Sequence, residues 1–378
     1  MRTKICEMFG VEFPIMAFTH CRDVVAAVTR AGGYGVLGAA GHPPEQLDID
    51  LRWIADEVGS RPFGVDIIVP ARYEGKDQGE LAVRTLKDMI PPGHRAFLDD
   101  LLHRYGVPPL PEEERFTPRN GEAAAPMTYA QAVPLMDVAF SHPISLIVNA
   151  LGPPPPDMIE RARAQGVKVG ALAGKKSHAM RHVAAGVDVI IAQGHEAGGH
   201  TGEIATMVLV PEIVDAVAPV PVLAAGGIGT GRQMAAALAL GAEGVWCGSV
   251  WLTTLEAETH PVVKEKFLAA TSSDTLRSRS RTGKPARQLR SAWTDEWEGP
   301  GSPGMLGMPL QPMLIGEASR RIDRAAMNAS NEGAVKLANY FVGQIVGSMN
   351  TSKHADRVVL DMVDEMIDAM SRVNDMMQ

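Results

Sequence analysis

Two histidines stand five residues apart in QGHEAGGHTG, residues 193–202. Imidazole is the side chain that exchanges protons near neutral pH, so His195 and His200 are candidates for acid–base work or substrate contact. Gly194, Gly198, Gly199 and Gly202 surround them. A loop without Cβ atoms lets backbone N–H groups approach a ligand closely. A metal pair is disfavoured, because the spacing is not the helical i, i+4 arrangement and no Cys or Asp cluster lies nearby. The competing interpretation is a structural turn with solvated imidazoles, and the flanking chain decides between the two.

The apolar run Val187–Ala192 leads into this loop and reads as a buried strand. Similar short runs recur at Pro14–Ala17, Tyr34–Gly38, Phe63–Val69, Ile144–Asn149, Val167–Leu172, Val220–Ala225 and Gly244–Cys247, alternating with amphipathic helical stretches. None shows clean period-2 alternation, which indicates a parallel sheet buried on both faces. Eight such units in about 250 residues fit an α/β fold of the (β/α)8 TIM-barrel type better than an open doubly wound sheet. Function in such a barrel gathers at the strands' C-terminal ends. The residues there are Ala17, Phe18 and His20, then Asp66, Asn149, Gln193, His195 and His200, with Gly226, Gly227, Gly248 and Ser249 after the last two strands. GGIGTG (226–231) and GSVW (248–251) each lead toward a helix N-terminus, where free amides suit an anion such as a cofactor phosphate. A Rossmann interpretation of these glycines lacks the acidic residue expected after the next strand.

Two regions break the rhythm. Residues 70–143 form an insertion after the third strand, with two helical patches and a Pro/Glu-rich hinge at Pro108–Arg119. A connection this long suggests a lid or subdomain. Residues 256–378 read as a C-terminal helical appendage to a barrel spanning 1–255. Within it, Arg277–Arg290 is a basic segment, Asp295–Pro312 is loop-like, and Glu317–Met349 and Arg357–Val373 are expected to be amphipathic helices.

Composition narrows the function classes. A net charge of −8 gives no basic footprint for nucleic acid. No apolar run reaches the length of a membrane span, and the N-terminus lacks a signal-peptide pattern. Three scattered cysteines make neither a disulfide framework nor a zinc site. These features point to a cytoplasmic protein with a small-molecule substrate, and an assembly of identical chains is compatible with them.

The sequence resembles the nitronate monooxygenases, formerly 2-nitropropane dioxygenases, whose relatives include flavin-dependent enoyl-ACP reductases and flavin quinone reductases. The resemblance rests on AGGYGVLG (31–38), QGHEAGGHTG (193–202), PVLAAGGIGTG (221–231), GAEGVWCGSVWL (241–252), TGKPAR (282–287) and GQIVG (343–347). It implies noncovalent FMN with its phosphate on Gly226, Gly227, Gly248 and Ser249, and further cofactor contacts from Ala17, Phe18, Asp66, Gln193, Gly198 and Gly199. It implies a catalytic His200 at the flavin face, with His20 and His195 lining the substrate pocket and no metal. The implied reaction is oxidation of alkyl nitronates by O2; the alternative is NAD(P)H-dependent reduction of an enoyl or acyl-CoA thioester or a quinone. Two features depart from the family pattern. Asp66 stands where members carry Asn, and a carboxyl donates a hydrogen bond only when protonated. The insertion suits a bulkier substrate, and Arg277, Arg279, Arg281, Lys284, Arg287 and Arg290 could meet the phosphates of coenzyme A or a nicotinamide nucleotide.

Overall fold

The computed structural model describes residues 1–69, 83–112 and 129–378. Eight parallel strands close into a barrel in the order β1 (Ile15–Thr19), β2 (Tyr34–Gly38), β3 (Gly64–Ile67), β4 (Leu146–Asn149), β5 (Lys168–Ala173), β6 (Val189–Gln193), β8 (Val222–Ala225) and β9 (Gly244–Cys247). The last strand pairs back onto the first, Ala17 opposite Cys247. The expected (β/α)8 barrel is therefore the observed one, and its strands are the eight apolar runs.

The unbroken apolar runs have a physical cause. Inward side chains such as Met16, Val36, Val148, Ile191 and Trp246 form one buried cluster, and outward neighbours such as Ile15, Leu37, Ile147, Ile190 and Val245 form another with the helices. Both faces are dry, so alternation in polarity is erased. Helix α1 (Lys4–Phe9) contributes Ile5 and Phe9 to the inner cluster, with Phe9 against Tyr34 at a ring separation of 4.8 Å. It plugs the end where the strands start, leaving the opposite end for the site.

The outer helices are α2 (Arg22–Arg30), α3 (Pro44–Val58), α6 (Tyr129–Phe140), α7 (Pro156–Ala164), α8 (Lys176–Ala185), α9 (Thr206–Val217) and α10 (Gly231–Ala239). From the insertion, α6 completes the β3-to-β4 crossover, whereas α4 (Val83–Asp88) and α5 (Pro92–Arg104) leave the barrel. Leu98, Leu101 and Leu102 of α5 share a second apolar cluster with α11 (Pro261–Ala269), α12 (Ala292–Glu298), α13 (Leu310–Ala326) and α14 (Glu332–Leu337). Arg104 grips Glu296 of α12 through two bonds of 2.8 and 2.9 Å. The hinge expected at Pro108–Arg119 lies largely outside the described residues. The final helix, α15 (Ala355–Asp375), buries Val359, Met362 and Met366 in the barrel's outer core.

The tail departs from expectation in three places. Arg277–Arg290, expected only to be a basic segment, lies in a β-hairpin of β10 (Thr275–Ser278) and β11 (Ala286–Leu289). Asp295–Pro312 is not all loop: α12 covers its start and α13 begins at Leu310. Glu317–Met349 is broken, because α13 stops at Ala326 and α14 starts afresh with the Asn331 side chain capping the Ala334 amide. Among the described residues no helix is long and apolar enough to cross a membrane.

Candidate active site

After β6 the chain turns through residues 194–198 and re-enters extended structure as β7 (Gly199–His200). This two-residue strand pairs antiparallel with β11, His200 opposite Ala286 and Gly199 opposite Arg287. The hairpin of the tail thus sets the position of the candidate catalytic histidine. The glycines upstream are dictated by close approach. A Cβ on Gly198 would lie 2.9 Å from the Gly343 nitrogen, an overlap real structures do not tolerate. The Gly343 amide in turn donates to Ser249 Oγ at 2.8 Å, and Gln344 N donates to Glu196 O at 2.9 Å. The 343–347 segment therefore ties the histidine loop to the turn after β9.

His200 is half-buried, its Nε2 lies 2.8 Å from Thr282 Oγ1, and its ring stands beside Phe341. Burial, reinforced by the Lys284 charge, pushes its pKa down to about 4. The imidazole is consequently neutral at physiological pH, able to accept a proton or a hydrogen bond but poorly suited to donating a proton.

Two turns flank the loop. Gly226 and Gly227 hold successive left-handed conformations, φ 98° and 70°, which aim consecutive amides into one concavity. A Cβ on Gly226 would sit 3.2 Å from Ala197 N, and one on Gly227 would sit 3.4 Å from Glu196 Cβ, so this turn borders the histidine loop directly. Gly248 and Ser249 open a short 3-10 turn (Ser249–Thr253). The amides of Gly227 and Ser249 have no acceptor among the described residues, and Ser249 Oγ, while accepting from Gly343, keeps its hydrogen to donate. The helix N-terminus after GGIGTG is a different matter. Gln233 Oε1 takes the Gly229 and Thr230 amides at 3.0 Å, and Glu365 of α15 takes the Gly231 amide at 2.9 Å. The sequence reading of that helix end as open to an anion is corrected: α10 is already capped, and the free amides belong to the Gly226–Gly227 turn and the Ser249 turn.

The remaining sequence candidates divide by environment. Asp66 is buried on β3, and burial raises its carboxyl pKa well above the usual value, favouring the protonated form, which donates as well as accepts. Gln193 ends β6 half-buried, opposite Ala225. The Ala17 methyl is buried in the outer core, whereas Phe18 stacks on Trp246 and meets His20 edge-on. His20 Nδ1 donates to the Gly38 carbonyl at 2.8 Å, and its ring reaches solvent although the surrounding barrel mouth lowers its pKa, as expected for a side chain lining a recess. His195 Nδ1 is 3.5 Å from Glu196 Oε2 and forms no hydrogen bond there.

Glu196 was missed in the sequence, and Arg277 and Arg287, read there as candidate phosphate contacts, hold the histidine loop instead. Glu196 accepts from the Thr206 amide and hydroxyl, anchoring the loop to the first turn of α9. Arg287, 5% exposed, donates from Nε to the His195 carbonyl at 3.0 Å and from Nη1 to Thr275 Oγ1 at 3.0 Å. Arg277 reaches the Thr201 carbonyl at 3.2 Å. The two arginines clamp the loop at either end. The signal in the sequence is slight: ARQL does not alternate in polarity, and only the glycine turn at Gly283 marks the reversal between the two strands. Replacing Arg287 with leucine strands both acceptors. The expected loss is about 1.5–3 kcal/mol of unfolding free energy, read by chemical denaturation, with no recovery in Arg287→Lys, whose ammonium lacks the planar fork.

Comparison with known proteins shows the family. The family model "Nitronate monooxygenase" matches residues 2–365. The chain is 60% identical over 378 residues, the whole of both proteins, to "Putative monooxygenase Rv1533" of Mycobacterium tuberculosis. It is 27% identical over 354 residues to a "Probable nitronate monooxygenase" of Staphylococcus aureus, covering 89% of this chain and 90% of the relative. Among solved structures, a nitroalkane oxidase of Streptomyces ansochromogenes superimposes with a TM-score of 0.77 at 25% identity over 98% of this chain and 99% of the other. FabK of Thermotoga maritima superimposes with a TM-score of 0.69 at 25% identity over 99% of both chains. The protein is an oxidoreductase, and its chain belongs to the nitronate monooxygenase family.

Proposed function

We propose that the protein is an FMN-dependent oxidase of alkyl nitronates that uses O2 as the electron acceptor. The observation that carries this reading is a neutral, pinned His200 beside the Lys284 ammonium, on a loop shared with two turns whose amides lack acceptors. The residues present fit an FMN phosphate, which the Gly227 and Ser249 amides and the Ser249 hydroxyl would hold. In the protonated form that burial favours, Asp66 would offer a donor and an acceptor in place of the family's Asn amide, and Gln193 would add a further contact. When bound, the flavin supplies two-electron acceptance from the substrate and return of those electrons to O2. His200 accepts a proton from the carbon next to a nitro group, or orients a substrate already in the nitronate form. The Lys284 side-chain nitrogen has no hydrogen-bond or ion-pair partner among the described residues and offers its charge to the anion.

The second reading, reduction of a thioester or quinone by NAD(P)H, draws on the likeness to FabK. Two observations count against it. Proton donation to a thioester carbonyl suits an imidazole titrating nearer 7 than about 4. Of the six basic side chains that could meet coenzyme A phosphates, five are engaged within the chain: Arg277, Arg279, Arg281, Arg287 and Arg290. The test is oxygen uptake with propyl nitronate and no nicotinamide nucleotide. Sustained uptake supports the reading; inert nitronate together with NADH oxidation driven by a thioester or quinone overturns it. The pH profile follows from the same geometry. A base that must be unprotonated works above its pKa, so activity is retained through pH 6 and lost as pH falls through about 4. An acid limb centred near 6.5 contradicts the burial argument.

A further inference from the structure

We propose that Thr282 is a positioning residue that fixes which nitrogen of His200 carries the proton, holding the ring as the Nε2–H tautomer and leaving Nδ1 as the acceptor. This rests on the reading of His200 as the proton-accepting group and adds the atom at which it works. A threonine hydroxyl has one hydrogen to donate and two lone pairs to accept with. Thr282 Oγ1 donates to the Lys284 carbonyl at 3.1 Å, an oxygen that can only accept. It accepts from the Lys284 amide at 3.3 Å. Its one remaining valence meets His200 Nε2 at 2.8 Å. With the hydroxyl hydrogen given to the Lys284 carbonyl, which can only accept, the hydrogen on the histidine contact belongs to the nitrogen. A neutral imidazole carries a single N–H, and Nδ1 is left bare.

The hydroxyl itself is held firmly. It lies in the turn between β10 and β11, closed by Gly283 N to Arg279 O at 2.8 Å and Arg279 Nε to Gly283 O at 2.9 Å. The same hairpin supplies Ala286 as the backbone partner of His200, so one element sets both the main-chain register and the ring's hydrogen bond. A hydroxyl orients the ring without adding charge. A carboxylate in its place would stabilise the imidazolium and raise the histidine pKa. Thr282 therefore gives orientation while the site keeps the ring neutral.

The test uses full-length protein as purified with its flavin, labelled with 15N in the histidine rings. Long-range 1H–15N correlation at neutral pH reads the tautomer, with His200 assigned by its absence in His200→Gln. The expected result is a protonated Nε2 and an unprotonated Nδ1. Thr282→Val is expected to give a mixture of tautomers and to lower kcat for propyl nitronate about 10- to 100-fold, with KM changed by less than about twofold. Thr282→Ser is expected to restore both readouts. A wild-type ring protonated on Nδ1, or a valine variant that keeps a pure Nε2–H ring, overturns the proposal. If the valine variant does not fold, the wild-type spectrum still decides. Because the tautomer is read without substrate, an Nε2–H ring in a protein inert toward nitronates supports this inference while refuting the substrate assignment.

Discussion

His200→Ala is expected to leave the protein yellow and to lower nitronate turnover about 10²- to 10⁴-fold, the range for loss of a positioned proton acceptor. The two effects separate because the ring and the proposed phosphate site rest on different atoms. The amides of Gly227 and Ser249 are placed by β8, β9 and the 343–347 segment, none of which bonds to the imidazole. Among the described residues the ring hydrogen-bonds only to Thr282, and its removal leaves the β7–β11 backbone pairing in place. Flavin content from the visible spectrum and kcat from oxygen uptake check the two halves. Retained turnover would remove His200 from the mechanism, and lost colour would show that the ring also shapes the cofactor site.

Gly227→Val is expected to reverse that pattern, with flavin retention failing first. At φ 70° a β-branched residue is strained by about 1–3 kcal/mol. If the peptide relaxes to negative φ instead, the Gly227 amide turns away from the anion. A hydrogen bond to a charged group contributes about 1.5–3 kcal/mol, so FMN affinity is expected to fall roughly 10- to 100-fold. Dialysis followed by flavin titration measures it. Gly301→Val is the control, because a Cβ there meets nothing within 4 Å. Full flavin loading of the Gly227 variant at wild-type affinity would place the phosphate elsewhere.

The barrel was legible because burial on both faces writes itself as uninterrupted apolar runs, and strands such as Tyr34–Gly38 and Gly244–Cys247 begin and end where those runs do. The hairpin was not, because its third strand is only Gly199–His200, 75 residues or more upstream, and two residues carry no pattern. Arg277 and Arg287 read as candidate phosphate contacts because the sequence does not display the Thr201 and His195 carbonyls that receive them. The break in Glu317–Met349 could have been read from Asn331, a good N-cap three residues before Ala334. The capping of the Gly231 amide by Glu365 could not, since the two are brought together only by the packing of α15 on α10. For the site, the order of residues along the barrel was legible: strand ends placed Gly226, Gly227, Ser249 and the histidine loop at one mouth. What orients the ring came from the tail, in a segment whose chemistry is written in backbone acceptors.

The central claim is that a cofactor held by its phosphate at two amide turns takes electrons from a nitronate next to His200. Anaerobic mixing of the purified protein with propyl nitronate, followed through the visible absorption, tests it most directly. The account predicts rapid bleaching in the wild type, slowed at least about 100-fold in His200→Ala, and recovery of colour on admitting air. Bleaching by NADH with none by the nitronate would contradict it.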